Sequence, residues 1–127
     1  MDFSLPIEIE DFRTRVRAFV ADKILPVEAD RANWAAHENI SAPALARLRI
    51  AAKKAELWAP QMPKALGGQG LSFVGMAAAY EEMNRSIFGP VVFNCAAPDD
   101  GNMILLAKAA TEAQKDRWLR PIVDGRA

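Results

Sequence analysis

Three glycines in four positions, Gly67, Gly68 and Gly70, are the first residues whose type and spacing could do chemistry. A glycine-rich loop ahead of a helix can cradle a phosphate, because free backbone N–H groups and the helix N-terminus attract an anion. A dinucleotide fingerprint needs G-x-G-x-x-G after a strand, and a Walker loop needs G-x-x-x-x-G-K-[ST]. Gly68 and Gly70 supply G-x-G, but Phe73 stands where the third glycine belongs, and no Gly-Lys-Ser or Gly-Lys-Thr follows. The lead-in from Trp58 to Lys64 holds two prolines and no β-branched run, so no central strand enters the loop. The spacing predicts a structural connection with positive φ at Gly67 or Gly68, and no nucleotide.

The other reactive residue types lack partners. His37 is the only histidine and lies among scattered carboxylates (Glu28, Asp30, Glu38), whereas a metal site needs several convergent ligands. Cys95 has no histidine nearby in sequence to activate it and follows Val91, Val92 and Phe93, the setting of a small buried hydrophobe. Glu81 and Glu82 are adjacent on a helix, about 100° apart, and so cannot converge as an acid–base pair. One is expected to face solvent while the other pairs across a helix interface. Asp99 and Asp100 precede Gly101 and Asn102 at a helix start, where carboxylates stabilise free N–H groups. Catalytic and metal-binding residues are therefore expected to be absent.

Composition narrows the class. The 127 residues are 51% hydrophobic and 25% charged, enough for one soluble domain with a real core. Sixteen basic and sixteen acidic residues cancel, which gives no electrostatic case for nucleic acid or an anionic membrane. A single cysteine excludes an internal disulfide and fits a reducing, cytoplasmic setting. The acidic N-terminus has no apolar signal region, and no apolar run reaches membrane-spanning length.

Helices must position whatever site exists. Phe12, Val16, Phe19, Val20 and Ile24 recur at steps of three and four, predicting an amphipathic helix over about 7–24 that Pro26 ends or bends. Ser41 and Pro43 open a second helix to about Glu56, with Leu45, Leu48, Ala52 and Ala55 inward. Phe73, Met76, Tyr80, Met83 and Ile87 predict a third, ending before Gly89-Pro90. A short apolar helix over about 102–109 follows. Thr111 and Gln114 form a capping-box pattern for a last helix that carries Trp118 and Leu119 and is stopped or bent by Pro121. No stretch alternates with period two for long enough to argue a strand. The expected fold is an all-α bundle of five to six helices, with Phe12, Val16, Phe19, Leu45, Leu48, Met76, Tyr80, Met83 and Trp118 buried.

Three motifs in order carry a resemblance. The run Leu57-Trp58-Ala59-Pro60-Gln61-Met62-Pro63-Lys64-Ala65-Leu66-Gly67-Gly68-Gln69-Gly70-Leu71-Ser72 resembles the Pro-x-x-x-Gly-Gly-x-Gly segment of acyl-CoA dehydrogenases, with Glu81-Glu82 matching the family's acidic pair. Val92-Phe93-Asn94-Cys95-Ala96-Ala97-Pro98-Asp99-Asp100-Gly101-Asn102-Met103 is similar to the subgroup of members ten and eleven. Thr111-Glu112-Ala113-Gln114-Lys115, followed by Trp118-Leu119-Arg120-Pro121-Ile122, resembles a further family pattern. The resemblance covers nearly the whole chain.

The resemblance implies the family's N-terminal helical domain over residues 1–127. The middle β-domain and C-terminal helical domain are expected to lie outside this chain, which then reads as a truncation, a proteolytic core or a split subunit. It implies α,β-dehydrogenation of an acyl-CoA thioester with FAD as cofactor, the flavin-holding segments and the catalytic glutamate lying beyond residue 127. The expected partners are acyl-CoA, the remaining dehydrogenase domains and further copies in a homo-oligomer. This domain's share would be one wall of the acyl-chain pocket, built from Phe93, Asn94, Ala97, Pro98, Asp100 and Met103. Ala96 adds to its apolar part. The polar pair Asn94 and Asp100 would admit a hydroxylated or otherwise substituted acyl chain. The chain alone is then expected to be inactive. The competing reading is a stand-alone helical interaction module.

Overall fold

The computed structural model describes residues 2–126. Its α segments are α1 (Ile7–Phe19), α2 (Leu25–Ala29), α3 (Ala42–Lys54), α4 (Phe73–Met83), α5 (Gly89–Val92), α6 (Asp99–Ala109), α7 (Glu112–Gln114) and α8 (Arg120–Val123). Two π turns, Val20–Ile24 and Lys115–Leu119, join α1 to α2 and α7 to α8 without a break, leaving six helical bodies among the described residues. No strand forms among those residues; one isolated bridge pairs Trp34 with Ile40. The all-α expectation holds.

Each π turn stands just ahead of a proline, Pro26 or Pro121. A proline has no N–H to donate, and its ring collides with the carbonyl four residues back. Widening the preceding turn to i→i+5 bonds lets the helix run on. Leu25 N–H accordingly donates to Val20 O, and Arg120 N–H to Lys115 O. Neither proline ends its helix. The extra residue also shifts the side-chain phase, so Leu119 is buried and Trp118, expected in the core, is 45% exposed.

The helix starts follow their capping chemistry. Thr111 and Gln114 form the full capping box, with Thr111 N–H donating to Gln114 Oε1 at 2.8 Å. Ser72 Oγ accepts from Gly75 N–H at 3.1 Å at the start of α4. Ser41 occupies the N-cap of α3 but makes no side-chain cap bond. Asp99 and Asp100 fall in the first turn of α6, which begins three residues earlier than the apolar pattern suggests.

The core joins α1, α3, α4 and the chain after α5. Phe12, Val16, Phe19, Leu48, Met76 and Met83 are buried as their spacing predicts, while Leu45 and Tyr80 are half-buried. Ala44 rather than Ala55 completes the inner face of α3. Phe73 and Ile87 leave the expected stripe: Phe73 is 90% exposed, and Ile87 lies beyond the end of α4. The buried face of α4 is instead Gly75, Met76, Ala78, Ala79, Glu82 and Met83, of which the small Gly75, Ala78 and Ala79 leave room for a neighbouring helix. Ile9 faces Gly75 and Arg17 reaches Glu82, so α1 and α4 run side by side in the same direction.

Glu82 resolves the acidic pair. Its side chain is 5% exposed, and Oε1 lies 2.6 Å from Arg17 Nη2 and 3.3 Å from Arg13 Nε; Glu81 stays in solvent and meets Arg13 at 3.2 Å. The hydrogen bond from Arg17, with help from Arg13, holds the Glu82 carboxyl below its ordinary value of 4.5 against the opposing cost of burial. A depressed folded-state pKa means the ion pair stabilises above the ordinary glutamate range and is lost as pH falls through the lowered value. Glu82→Gln is expected to cost about 2 kcal/mol at neutral pH, the range for hydrogen bonds to charged groups. It should also flatten the acid limb of a stability-against-pH curve. An acid limb unchanged by the substitution would show that other carboxylates carry it.

Candidate functional site

The segment between α5 and α6 is irregular, apolar and almost fully strapped down. Its carbonyls accept hydrogen bonds from donors distant in sequence. Arg49 Nε and Nη2 reach Val91 O at 3.3 and 3.2 Å, Ala59 N–H reaches Phe93 O at 2.9 Å, and Gln61 Nε2 reaches Asn94 O at 2.8 Å. Tyr80 Oη then donates to Cys95 O at 2.9 Å. Val91 O lies within the four-residue α5 and the other three carbonyls just after it, where so short a helix leaves acceptors that recruit partners from elsewhere in the chain.

Asn94 fixes the middle of the segment. It adopts φ +61°, a left-handed conformation that asparagine tolerates better than most residues, and it is 2% exposed. Its Nδ2 lies 3.1 Å from Ile122 O, 3.4 Å from Val123 O and 3.7 Å from Met103 Sδ. One amide thus ties the segment to the end of α8.

Phe93 and Met103 are fully enclosed, Phe93 against Phe19 with ring centroids 5.4 Å apart. Ala97 and Pro98, joined by a cis peptide bond, are exposed at the tip of the turn, and Ala96 is half-buried behind them. Asp100 is half-buried: Oδ2 lies 3.4 Å from Tyr80 Oη, while Oδ1 is sealed from solvent with no hydrogen-bond partner among the described residues. Four of the six candidates lie in the segment and two, Asp100 and Met103, on α6; together they split into an exposed tip, Ala97 and Pro98, and a support beneath it. Neither Asn94 nor Asp100 Oδ1 is presented to a ligand.

Other reactive groups are closed off. Cys95 Sγ points to Gln61 Oε1 at 3.2 Å, and burial pushes its thiol far above the ordinary cysteine range, which suits packing rather than nucleophilic attack. His37 is exposed, and no group of three or more metal-ligating side chains comes together among the described residues. The glycine loop spends its amides on itself. Gly67, Gly68, Gly70 and Leu71 N–H donate to Lys64, Pro63, Met62 and Pro60 carbonyls at 2.8–3.1 Å, leaving none of these four for a phosphate. Gly67 and Gly70 have positive φ, at +91° and +66°. Gly68 is there for space, since a Cβ would stand 2.1 Å from Met62 O.

The family model described as "Acyl-CoA dehydrogenase, N-terminal domain" matches residues 7–126. The chain belongs to this family. It is 35% identical to rat acyl-CoA dehydrogenase family member 11 over 122 residues, 91% of this chain and 15% of the relative. It is 32% identical to Mycobacterium tuberculosis "Probable acyl-CoA dehydrogenase FadE2", across 99% of this chain and 31% of that protein. A solved structure assigned as an acyl-CoA dehydrogenase from Mycobacterium abscessus superposes with a TM-score of 0.84 at 34% identity, covering 98% of this chain and 33% of that one. The chain spans 15% to 33% of the length of these relatives.

Within this acyl-CoA dehydrogenase domain, two residues that hold the site escape a reading by sequence. Tyr80 sits on an apolar stripe, where only its hydroxyl hints at a second task. Gln61 lies in the turn before the glycines and gives no signal at all. The surface depression lined by Lys53, Trp58, Leu66, Gly67, Val123 and Asp124 includes none of the candidate residues. It forms where Trp58 Nε1 and Lys53 Nζ each donate, at 2.7 Å, to the carbonyls of Val123 and Asp124 respectively. No described helix is long and apolar enough to cross a membrane.

Proposed function

We propose that this chain serves as the N-terminal domain of an FAD-dependent acyl-CoA dehydrogenase and supplies one wall of its acyl-chain pocket. The observation that carries the reading is an exposed apolar tip, Ala97-Pro98, on rigid backing in a domain of this family. A wall for an alkyl chain needs apolar surface that does not move when the chain arrives. Phe93, Asn94 and Met103 supply rigidity from below, and Ala97 and Pro98 supply contact. One wall alone makes no cavity; the pocket closes when other portions of the enzyme face it.

The glycine loop does not fit a flavin's phosphates, because its amides point inward. On the family reading, FAD and the glutamate base belong to other portions of the enzyme, and this chain contributes shape and exclusion of water rather than a reacting group. Acyl-CoA is the proposed substrate, and the remaining domains and further copies of the enzyme are the proposed partners. Large apolar side chains left in solvent, among them Phe3, Ile7, Phe73, Val74 and Leu105, suit a surface that other domains cover.

The test joins residues 1–127 to the flavin-binding portions of a relative and introduces Ala97→Trp. A bulky side chain on the wall takes volume that only the longer acyl chain needs, so kcat/KM should fall for long chains on the order of tenfold more than for short ones. Residues 1–127 alone should purify colourless and inactive. Equal losses for short and long chains would remove Ala97 from the wall, and yellow, active protein from residues 1–127 would refute the division of labour.

A further inference from the structure

One side chain reaches both ends of the exposed turn, and its single hydroxyl proton fastens the first of them at 2.9 Å. Tyr80, on α4, places its hydroxyl 2.9 Å from Cys95 O, just before the turn, and 3.4 Å from Asp100 Oδ2, just after it. The turn closes on itself through Asp100 N–H to Ala96 O at 3.0 Å, but that bond ties it to nothing outside. Through Cys95 O, Tyr80 links the turn directly to α4, the helix whose other face is locked to α1 through Glu82. Burial, aided by Cys95 and Asp100, raises its hydroxyl well above the ordinary tyrosine value, so it remains a protonated donor at neutral pH. A phenol ring on two torsions holds such a link with little slack.

We propose that Tyr80 is a positioning residue that fixes the Ala97-Pro98 tip against α4 and thereby sets which acyl-chain lengths the wall accepts. This rests on the wall assignment above. If Tyr80 only satisfied a buried carbonyl, its loss would weaken the whole domain without freeing the turn in particular. A clasp behaves differently. Without it the turn opens locally while the core stays shut, and the pocket loses its fixed depth.

Cys95, the sole cysteine, reports that opening. It is 4% exposed and lies directly under the turn. Tyr80→Phe keeps the ring and its packing while deleting the hydroxyl. In residues 1–127 the variant should react with a thiol reagent such as DTNB roughly tenfold faster, the factor that loss of one hydrogen bond allows. The thermal midpoint should fall by only a few degrees, and the thiol reaction should stay insensitive to low denaturant, as local opening is. In the joined enzyme Tyr80→Phe should raise KM for long acyl-CoA more than for short and leave kcat nearly unchanged. Thiol reactivity that stays constant, or that rises only in step with global unfolding, overturns the clasp. So does a loss of activity that is equal across chain lengths, provided Ala97→Trp in the same enzyme discriminates by length. If Ala97→Trp shows no length dependence either, the wall itself falls and the proposal falls with it.

Discussion

Gly89→Ala should cost about 3 kcal/mol or more, the upper range for forced overpacking, and Gly68→Ala a similar amount. At Gly89 an added Cβ would lie 1.9 Å from Met83 O, and at Gly68 it would lie 2.1 Å from Met62 O and 2.4 Å from Ala59 O. The obstructing atoms are backbone carbonyls, which cannot step aside as a flexible side chain can. Gly67 offers a contrast: nothing lies within 4 Å of its Cβ position, and only its φ of +91° opposes alanine. Gly67→Ala should cost about 1 kcal/mol. Gly101 has open space and an ordinary helical backbone inside α6, so Gly101→Ala should stabilise by roughly 0.5–1 kcal/mol. Thermal unfolding of the four variants, followed by far-UV circular dichroism, checks the order. Gly67→Ala proving worse than Gly68→Ala would mean that backbone conformation, not space, sets the loop.

Asn94 should be the most sensitive polar position. Asn94→Leu keeps the approximate volume but strips the donor from Ile122 O and Val123 O and places a bulkier side chain at φ +61°. A cost of about 3 kcal/mol follows from lost bonds, orphaned acceptors and backbone strain together. Asn94→Gly separates these contributions, since glycine keeps the conformation and loses only the amide; it should be milder than Asn94→Ala by about 1 kcal/mol. Asn94→Asp adds a pH signature. A buried carboxyl facing carbonyl oxygens has its folded-state pKa raised, so its stability is greatest below the unfolded value and is lost as pH rises. Denaturant titrations of Asn94→Asp at acid and neutral pH should therefore show the variant closer to wild type in acid. The opposite order would place a cation or an open water path beside residue 94.

The helices were legible because burial on one face leaves a period in the chain, and Val16, Leu48, Met76 and Met83 obey it. The cap at Thr111 was equally local, a side chain answering its own helix's free amides, whereas Ser41 makes no such bond and the Ser72 cap was not read from the sequence. The positive φ at Gly67 was local too, since a run of glycines between two helices announces it by itself. The two π turns were not legible, because proline announces a disturbed helix without saying whether the chain breaks or widens. Trp118 followed the unperturbed period and was misplaced for that reason.

The site depended still more on tertiary structure. An unusual connection after Val92 is announced by Cys95, Pro98 and Gly101 in one short run, although it ends at Pro98 and not at Met103, because α6 starts at Asp99. Which of those residues face out is decided by donors far along the chain: Arg49, Ala59, Gln61 and Tyr80 hold the segment so that Asn94 turns inward and Ala97 outward. A hydrogen bond between residues tens of positions apart leaves no period and no motif in one sequence. The local pattern thus determined that this chain is a helical domain with one irregular segment, and long-range packing alone determined which way that segment faces.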